Sequence, residues 1–450
     1  MSAARRGSSA APGTGHALVI GAGMAGLVVA KALTAGFERV TVVDRDRLPV
    51  GAEPRRGVPQ DRHLHLLLPS GIRALEELFP GLEDELCADG AKSGDVGRIR
   101  MCLNGYRLAP TRTGHQTLFC SRPFLESHVR RRVRDAPAID VRDGERIAGL
   151  AVSGDGGRVD GIQLASSEGD DVEVVRTDLV VDCSGRRSPV PEWLSELGYE
   201  RTEVAELDVQ VHYATRRYEL PEGVLGGDHH VLVGPTFDGP RGAAMTHVED
   251  DTWIVTLFAM AGERAPTDDE GFVRLAEELP IPDIHEAIRS GRPLDDPAPY
   301  RFPANRRHRY ERLKELPEGL LAAGDAVCSF NPIYGQGMSV AAMQAQLLQE
   351  RLRAGAPPSA RSWFRDIAEV IDTAWQLAVG SDLALDAVEG RRPMSVRVLN
   401  RYLARLQAAA ADDPRLTGRL LRVVVLVDPP SLLLRPSTLG AVLRGSLPSR

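Results

Sequence analysis

Cysteine is scarce in this sequence of 450 residues, and its few copies are dispersed. The five cysteines form no C-x-x-C pair, and they stand at positions 87, 102, 120, 183 and 328. Disulfide frameworks and structural zinc sites depend on closely spaced cysteines, so this pattern argues against both. We therefore expect a protein of a reducing cytoplasm with no metal site.

Excess basic charge and long apolar runs are also missing. The formal net charge of −7 disfavours nucleic acid as a partner. No run reaches the roughly 20 apolar residues of a transmembrane helix, so we predict no transmembrane segment. Residues 1–15 are small and polar, without the apolar core of a signal peptide, and we predict that they form a disordered tail.

Glycine, in contrast, is arranged in a pattern with a physical meaning in residues 16–45. An apolar run typical of a buried strand is followed by G-x-G-x-x-G, and a second apolar run ends at Asp44. Gly21 permits a tight turn, Gly23 lets a pyrophosphate approach the backbone, and Gly26 lets the next helix pack on the strand. The helix N-terminus attracts phosphate, and Asp44 can accept ribose hydrogen bonds. This predicts a dinucleotide site, for FAD or NAD(P).

Arginine and histidine are concentrated in the next loop, RRGVPQDRHLH at 55–65. Its arginines can lie along a nucleotide phosphate, or the loop can be an ordinary solvated one, and spacing leaves both open. Farther on, Ser121 is typical of a helix N-cap, and Arg122 beside it could reach the cofactor. We expect Arg130 and the arginines after it to form a solvent-exposed face.

Two further apolar strands end in glycine turns. One precedes D-C-S-G at Asp182 to Gly185, and the other precedes Gly324 and Asp325. Open α/β sheets bind ligands at the carboxyl ends of their strands, so both turns are candidate site elements. Gly337 then begins a long amphipathic helix, whose N-terminus favours an anionic or electron-rich group.

The remaining segments predict a second sheet and further helices. Residues 190–300 contain short alternating strands separated by Gly, Pro and Asp, which indicates an antiparallel sheet facing the substrate. We expect helix at 268–290, loop at 291–310 and helices over 358–450.

Together, three motifs resemble the FAD-dependent monooxygenases of the para-hydroxybenzoate hydroxylase fold. They are the glycine pattern ending at Asp44, D-C-S-G-R at 182–186, and G-D-A…P-x-x-G-Q-G-M at 324–338. The resemblance covers roughly residues 16–352. A closer resemblance, to the flavin epoxidases of polyether antibiotic pathways, rests on segments at 55–65, 182–189, 211–218, 250–257 and 330–339.

The family resemblance implies an α/β fold in which a Rossmann-like FAD-binding domain carries an inserted antiparallel-sheet substrate domain and a C-terminal helical region. The implied boundaries are 16–190 with 301–352 for the FAD-binding domain, 191–300 for the substrate domain and 353–450 for the helical region. The implied FAD-contacting residues are Gly21, Gly23, Met24, Ala25, Gly26, Asp44, Arg45, Arg56, Gln60, Arg122, Ile147, Asp182, Gly185, Gly324, Asp325, Pro332, Gly335, Gln336, Gly337 and Met338.

The resemblance also implies a reaction. NAD(P)H reduces FAD transiently, O₂ forms a flavin C4a-hydroperoxide, and one oxygen atom epoxidises or hydroxylates an apolar alkene or polyketide-type intermediate of secondary metabolism. Because the cofactor carries this chemistry, no catalytic residue is assigned. A phenolic substrate would need a base, and His212, Tyr213 and His247 stay open as candidates. The oligomeric state, monomer or homodimer, also stays open.

Three other functions remain open on the same fold. A dehydrogenase or reductase is the main alternative. A flavin halogenase is disfavoured, because no W-x-W-x-I-P occurs and only Lys92 lies in a region suited to a catalytic lysine. The last alternative is a protein that binds flavin without catalysis.

Overall fold

The computed structural model describes residues 15–165, 172–355 and 357–445. The tail predicted for residues 1–15 lies outside these ranges, apart from Gly15. The helices are α1 Met24–Leu33, α2 Pro69–Leu78, α3 Leu82–Ala88, α4 Arg122–Arg134, α5 Val190–Glu196, α6 Asp269–Glu277, α7 Asp283–Ser290, α8 Gly337–Arg353, α9 Ala360–Asp382, α10 Met394–Ala410, α11 Pro414–Val424 and α12 Pro436–Gly445.

All the strands of the described ranges come before α8. They are β1 His16–Ile20, β2 Arg39–Asp44, β3 Lys92–Asp95, β4 Arg100–Leu103, β5 Tyr106–Arg107, β6 Gln116–Phe119, β7 Ile139–Asp143, β8 Ile147–Val152, β9 Val159–Ala165, β10 Val172–Arg176, β11 Leu179–Asp182, β12 Val204–Glu219, β13 His230–Val233, β14 Arg241–His247, β15 Thr252–Ala259, β16 Arg292–Pro293, β17 Ala298–His308, β18 Leu320–Ala322 and β19 Cys328–Ser329.

A parallel sheet with the order β18-β11-β1-β2-β7 forms the centre of the first half of the fold. Every residue of β1 is buried. Helix α1 packs against β1 and β2, and strand β9 packs against β11 of the same sheet. Helix α1 packs against α8, so the two helices that begin at glycine motifs lie side by side. This arrangement confirms the predicted Rossmann-like α/β fold and brings the carboxyl ends of four motif-bearing strands to one edge.

A second, mainly antiparallel sheet follows the order β19-β17-β12-β15-β14-β13-β4-β5, with β16 on β12. The predicted loop at 291–310 is wrong over much of its length, since residues 298–308 form β17 and pair with β12. That strand reads as a loop because Pro299 and Pro303 interrupt it. Strands β4 and β5 also join this sheet from within the first half of the chain, so the predicted domain boundaries stay a prediction.

The C-terminal helices α9 to α12 confirm the predicted helical region. Trp363 of α9 is fully buried, and its indole Nε1 donates to the carbonyl of Ala322 at 2.8 Å, which fastens the helix to β18. Farther along, Val388 and Leu385 pack against the second sheet in one apolar cluster. The helical region therefore bridges both sheets. Within the described ranges, no helix is both long and apolar enough to span a bilayer.

Candidate functional site

The three glycine motifs, far apart in the chain, contact one another at the carboxyl edge of the parallel sheet. A Cβ atom on Gly21 would lie 2.7 Å from the Cys183 carbonyl oxygen, and one on Gly324 would lie 2.6 Å from the Cβ of Ala25. Both glycines also have positive φ, at +96° and +64°. Side chains there would separate the loops and strain the backbone, so glycine is what lets the loops close into one cradle.

The close approach of α1 to β1 depends on a third glycine. A Cβ on Gly26 would lie 1.8 Å from the carbonyl oxygen of Gly21, a distance that no real contact reaches. At Gly23, by contrast, the nearest atom to an added Cβ is the Nη2 of Arg55 at 3.6 Å. Gly26 is thus needed for packing, whereas Gly23 faces open space at the start of the helix.

Helices α1 and α8 begin without the groups that usually satisfy helix N-termini. Neither has a side-chain cap or an acidic residue in its first turn, whereas Ser121 caps α4 by accepting from the Phe124 N–H at 3.2 Å. Free N–H groups and the positive end of the helix dipole therefore point into the cradle from two sides. Such a pair of helix ends suits a ligand with separate anionic or electron-rich groups.

Asp44 closes the glycine loop from the end of β2. Its carboxylate accepts from the Ala22 N–H at 2.6 Å and from the Asp46 N–H at 2.8 Å. Arg55 ion-pairs with it at 3.4 Å and also donates to the Ala22 carbonyl at 3.0 Å. The loop at 55–65, whose role the sequence leaves open, thus brings a guanidinium group to the glycine turn.

Behind Arg55 lies a buried cluster of opposite charges at the start of α4. Glu126 pairs with Arg55 at 3.0 Å and with Arg130 at 3.5 Å, and Arg122 pairs with Asp61 at 3.1 Å. Burial raises the pKa of Asp61 to about 6, and the Arg122 charge opposes that rise. The expected solvent exposure of Arg130 is wrong, since its side chain is buried and donates to the Gly51 carbonyl at 2.8 Å.

Asp182 is fully buried and holds its own loop. Its carboxylate accepts from the Ser184 N–H and hydroxyl at 2.9 and 2.6 Å and from the Ser188 hydroxyl at 2.5 Å. Burial raises its pKa, and these serine bonds lower it. Its oxygens are thus already bonded, and it shapes the turn at Gly185, where an added Cβ would meet nothing within 4 Å.

Asp325 behaves differently from Asp182. In the described chain its carboxylate takes part in no hydrogen bond or ion pair, and one oxygen lies 3.8 Å from the Cβ position of Gly337. Burial raises its pKa, while the charges of Arg122 and Arg186 lower it. The side chain is partly exposed, so it offers free acceptors to the cradle between β18 and α8.

The other residues implied by the resemblance differ in burial and in their contacts with these loops. Gly335 has φ +65° and lies beside Leu66, and the buried Gln336 has an unpaired Oε1 among the described residues. Ile147 starts β8 two residues after Glu145, whose N–H donates to the Asp44 carbonyl at 3.0 Å. Met24 is buried, and Ala25, Gln60 and Met338 are partly buried. Arg45, Arg56 and Pro332 are exposed to solvent.

An aromatic wall from the second sheet faces this edge. Tyr213 of β12 and Tyr300 of β17 stack at 5.9 Å and 11°, and the His63 ring lies 5.1 Å from Tyr300. Burial raises the pKa of Tyr300, as does the Asp325 charge, while the Arg186 charge lowers it, so Tyr300 lies near both charged groups. Burial lowers the pKa of His63 to about 4, which keeps the ring neutral.

Among the three possible bases, Tyr213 is the one that packs against Tyr300 and His63. His212, next to it in β12, pairs with Arg301 and points to the opposite face of the sheet. His247 stacks on Trp253 at 4.6 Å near the turn between β14 and β15. Tyr300 was missed because its strand was expected to be a loop, and only the alternation of Tyr300 with Phe302 hints at its role.

A buried aspartate anchors the loop before α8. Asp382, at the end of α9, accepts from Asn305 at 2.6 Å, from Asn331 at 2.8 Å and from the Tyr334 hydroxyl at 2.7 Å. Burial raises its pKa to about 6, and these donors oppose the rise. Asp382 thus helps to set the position of the α8 N-terminus. The sequence does not reveal this role, because Asp382 lies far along the chain from the loop that it holds.

Comparison with known proteins decides which family this arrangement belongs to. A family profile described as FAD binding domain matches residues 15–364. The chain belongs to this FAD binding domain family. Protein Rv3254 of Mycobacterium tuberculosis is 32% identical over 446 residues, covering 94% of this chain and 91% of that protein. The cofactor is therefore FAD, and the two uncapped helices and open glycine loops fit it.

Solved structures with this fold agree with that assignment. The structure of PqsL, a probable FAD-dependent monooxygenase from Pseudomonas aeruginosa, is similar with TM-score 0.56 at 18% identity, over 90% of this chain and 99% of that chain. The flavin-dependent brominase Bmp2 is similar with TM-score 0.65 at 13% identity, over 92% and 93%. At such identities the likeness shows the fold alone, which is that of the FAD-dependent monooxygenases.

Proposed function

We propose that this protein is an NAD(P)H-dependent FAD monooxygenase that epoxidises or hydroxylates an apolar polyketide-type intermediate in secondary metabolism. The observation that supports the proposal is the position of Tyr300, which stacks on Tyr213, lies beside His63 and is close enough to Asp325 of the cradle to interact with its charge. His63 is only a weak base in this wall, because burial lowers its pKa to about 4. FAD supplies the activation of O₂, and the chain supplies placement and a dry pocket.

Each part of the cradle has a proposed role in holding FAD. The α1 N-terminus and Gly23 receive the pyrophosphate, and Asp44 receives the adenosine ribose once Arg55 turns toward phosphate. The free carboxylate of Asp325 accepts from ribityl hydroxyls. The uncapped α8 N-terminus, at Gly337 and Met338, places positive charge beside the flavin ring.

The second sheet then forms the substrate side. Tyr213 and Tyr300 offer flat apolar faces, which suits an unsaturated substrate. Behind them, Phe302, Phe258 and Met260 pack with Val388 of the C-terminal region and exclude water. The domain boundaries expected from the sequence are proposed with this change: β4, β5 and β17 belong structurally to the substrate side.

Oxygen labelling tests the proposed reaction. The purified FAD-loaded protein is supplied with NADH or NADPH, ¹⁸O₂ and an aryl alkene such as stilbene, together with longer polyenes. We expect reductant-dependent bleaching of the flavin absorbance and one ¹⁸O atom in the product. A product without ¹⁸O would instead assign a dehydrogenase, and a flavin that no reductant bleaches would assign a binding protein without catalysis.

A matched pair of variants tests the substrate wall. Tyr213→Ala removes a ring from the wall, so we expect KM for the alkene to rise about 5- to 30-fold, since a buried aromatic contact is worth roughly 1–2 kcal/mol. His247→Ala, on the same sheet but outside the wall, leaves KM unchanged. Equal effects from the two variants would place the substrate elsewhere.

A further inference from the structure

Charge is distributed unevenly between the C-terminal region and the rest of the chain. Residues 390–445 contain ten arginines and three aspartates, with no lysine, glutamate or histidine. This segment therefore has a net charge of +7 inside a chain of net charge −7, and the rest of the sequence carries −14. Such an asymmetry within one protein indicates a surface that meets an anionic partner.

Helix α10 presents part of this charge on an amphipathic outer stripe. Met394 and Val398 are 72% and 61% exposed, and Arg401 and Arg405 continue the same stripe at i+7 and i+11. The opposite side of the helix is buried through Leu406 and its neighbours. Two large apolar side chains thus stand in solvent at the amino half, with guanidinium groups following them.

The last helix and the turn before it extend this surface. The Tyr402 hydroxyl of α10 donates to the Leu433 carbonyl at 2.6 Å, which places the exposed Leu434 beside α10. A Cβ on Gly445 would lie 3.0 Å from Ala409, so α12 ends against the same helix. We define the basic face as the exposed side chains of Arg391, Met394, Arg397, Val398, Arg401, Arg405, Leu434, Arg435, Leu443 and Arg444.

The arginines of the basic face have no acidic partners. Among the described residues, none of its six guanidinium groups forms an ion pair or hydrogen bond. Elsewhere arginines are commonly paired, as Arg100 is with Asp228 and Asp283 at 2.9 and 2.8 Å. Unpaired arginines among exposed apolar side chains are the pattern by which a helix lies on an anionic lipid surface.

We propose that the basic face attaches this protein peripherally to an anionic bilayer surface. The arginines contact lipid phosphates, and Met394, Val398, Leu434 and Leu443 enter the boundary between headgroups and acyl chains. A lipid surface is favoured over a folded acidic partner because the exposed apolar side chains stand on the outside of helices rather than lining a groove. The proposal does not rest on the proposed monooxygenase function.

Vesicle flotation of the full-length FAD-loaded protein tests this attachment. One vesicle set is phosphatidylcholine alone, and the other contains about a third phosphatidylglycerol. We expect flotation with the anionic vesicles at low salt and not with the neutral ones. High salt should weaken the flotation, because it screens the arginines. Absence of flotation with anionic vesicles at low salt would overturn the proposal.

Two variants and one matched control locate the surface. Arg397→Glu with Arg401→Glu should lower vesicle partitioning about tenfold or more, and Met394→Gln with Val398→Gln should lower it at unchanged charge. Arg274→Glu with Arg289→Glu makes the same charge change at exposed, unpaired arginines of α6 and α7 and should leave partitioning intact.

Flavin content and thermal unfolding of every variant verify that the fold is retained. An equal loss of partitioning in the control would show that only the net charge of the protein matters. That result would refute binding through the basic face. Light scattering measures the oligomeric state, which tests whether a second copy of the chain binds the basic face instead of a bilayer. A dimer that the Arg397 and Arg401 reversals dissociate, in a protein that does not float, would replace the lipid with that second copy.

Discussion

Replacing Asp325 by alanine separates a cofactor role from a structural one. Its carboxylate has no hydrogen bond or ion pair in the described chain, and burial raises its pKa. A residue with these properties contributes little to the stability of the cofactor-free protein, because its removal breaks no bond and relieves a desolvated charge. Its free oxygens, however, lie next to Gly337 in the cradle where FAD is proposed to bind.

The size of the effect follows from the bonds that the carboxylate would make. A hydrogen bond to a charged group contributes about 1.5–3 kcal/mol, and 1.4 kcal/mol is about tenfold in affinity. We therefore expect Asp325→Ala to raise the Kd for FAD by about 10- to 100-fold. The unfolding free energy of the cofactor-free protein should change by less than about 0.5 kcal/mol, or rise.

Two measurements on the same preparations distinguish a cofactor role of Asp325 from a structural one. Flavin fluorescence titration gives the Kd for FAD, and urea unfolding of the cofactor-free protein gives stability. Asp283→Ala is the matched control, since Asp283 is a buried acid that pairs with Arg100 and Arg107 at 2.8 and 3.0 Å and belongs to none of the glycine loops. It should lower stability by about 2–4 kcal/mol and leave the Kd unchanged.

The reasoning about Asp325 fails in either of two ways. An Asp325→Ala protein that retains stoichiometric FAD with unchanged Kd would remove this residue from the binding site. A variant whose cofactor-free form is destabilised by several kcal/mol would show that the carboxylate serves the fold instead.

Three further outcomes test other parts of the site. Gly23→Val should abolish flavin occupancy in purified protein, because the side chain fills the open space where phosphate approaches; a yellow, fully occupied variant would move the pyrophosphate elsewhere. Asp61 binds its proton more tightly in the folded state, with a pKa of about 6, so the unfolding free energy of the cofactor-free protein should decline as pH rises from about 4 to 6. Urea titrations across that range should show a shallower decline in Asp61→Asn, and an identical slope would contradict the assignment. Asp382→Ala leaves three buried donors unpaired and should cost about 3–5 kcal/mol by urea unfolding, with weaker FAD binding; a wild-type melting curve would show that the loop before α8 does not depend on it.

The local parts of the site were readable in the sequence. Strands β1 and β2, the glycine turn between them and the Asp44 that follows are one contiguous stretch, and each residue acts through its own backbone conformation or its near neighbours. The same is true of Gly324, Asp325 and the helix that begins at Gly337. Backbone demands such as a turn with positive φ select glycine directly, so the pattern survives without tertiary information.

Errors arose where long-range contacts outweigh local propensity. Arg130 reads as a solvated arginine, yet Glu126 and the Gly51 carbonyl hold it buried. Residues 298–308 read as a loop, yet pairing with β12 supplies the hydrogen bonds that make a strand. The burial of Arg130 and the strand at 298–308 do not follow from the intrinsic propensities of these residues. Both follow from the residues that the fold places next to them.

The sequence by itself determined the three glycine turns, because they rest on steric demands within a few residues, and the resemblance of its motifs to a known family supplied the fold and the FAD cofactor. Only the tertiary structure decided that these turns touch one another and that Tyr213 and Tyr300 face them. It also decided that Asp382 anchors the loop before α8. Those contacts join residues tens to hundreds of positions apart. The spacing of residues along the chain does not determine which of them come together on folding.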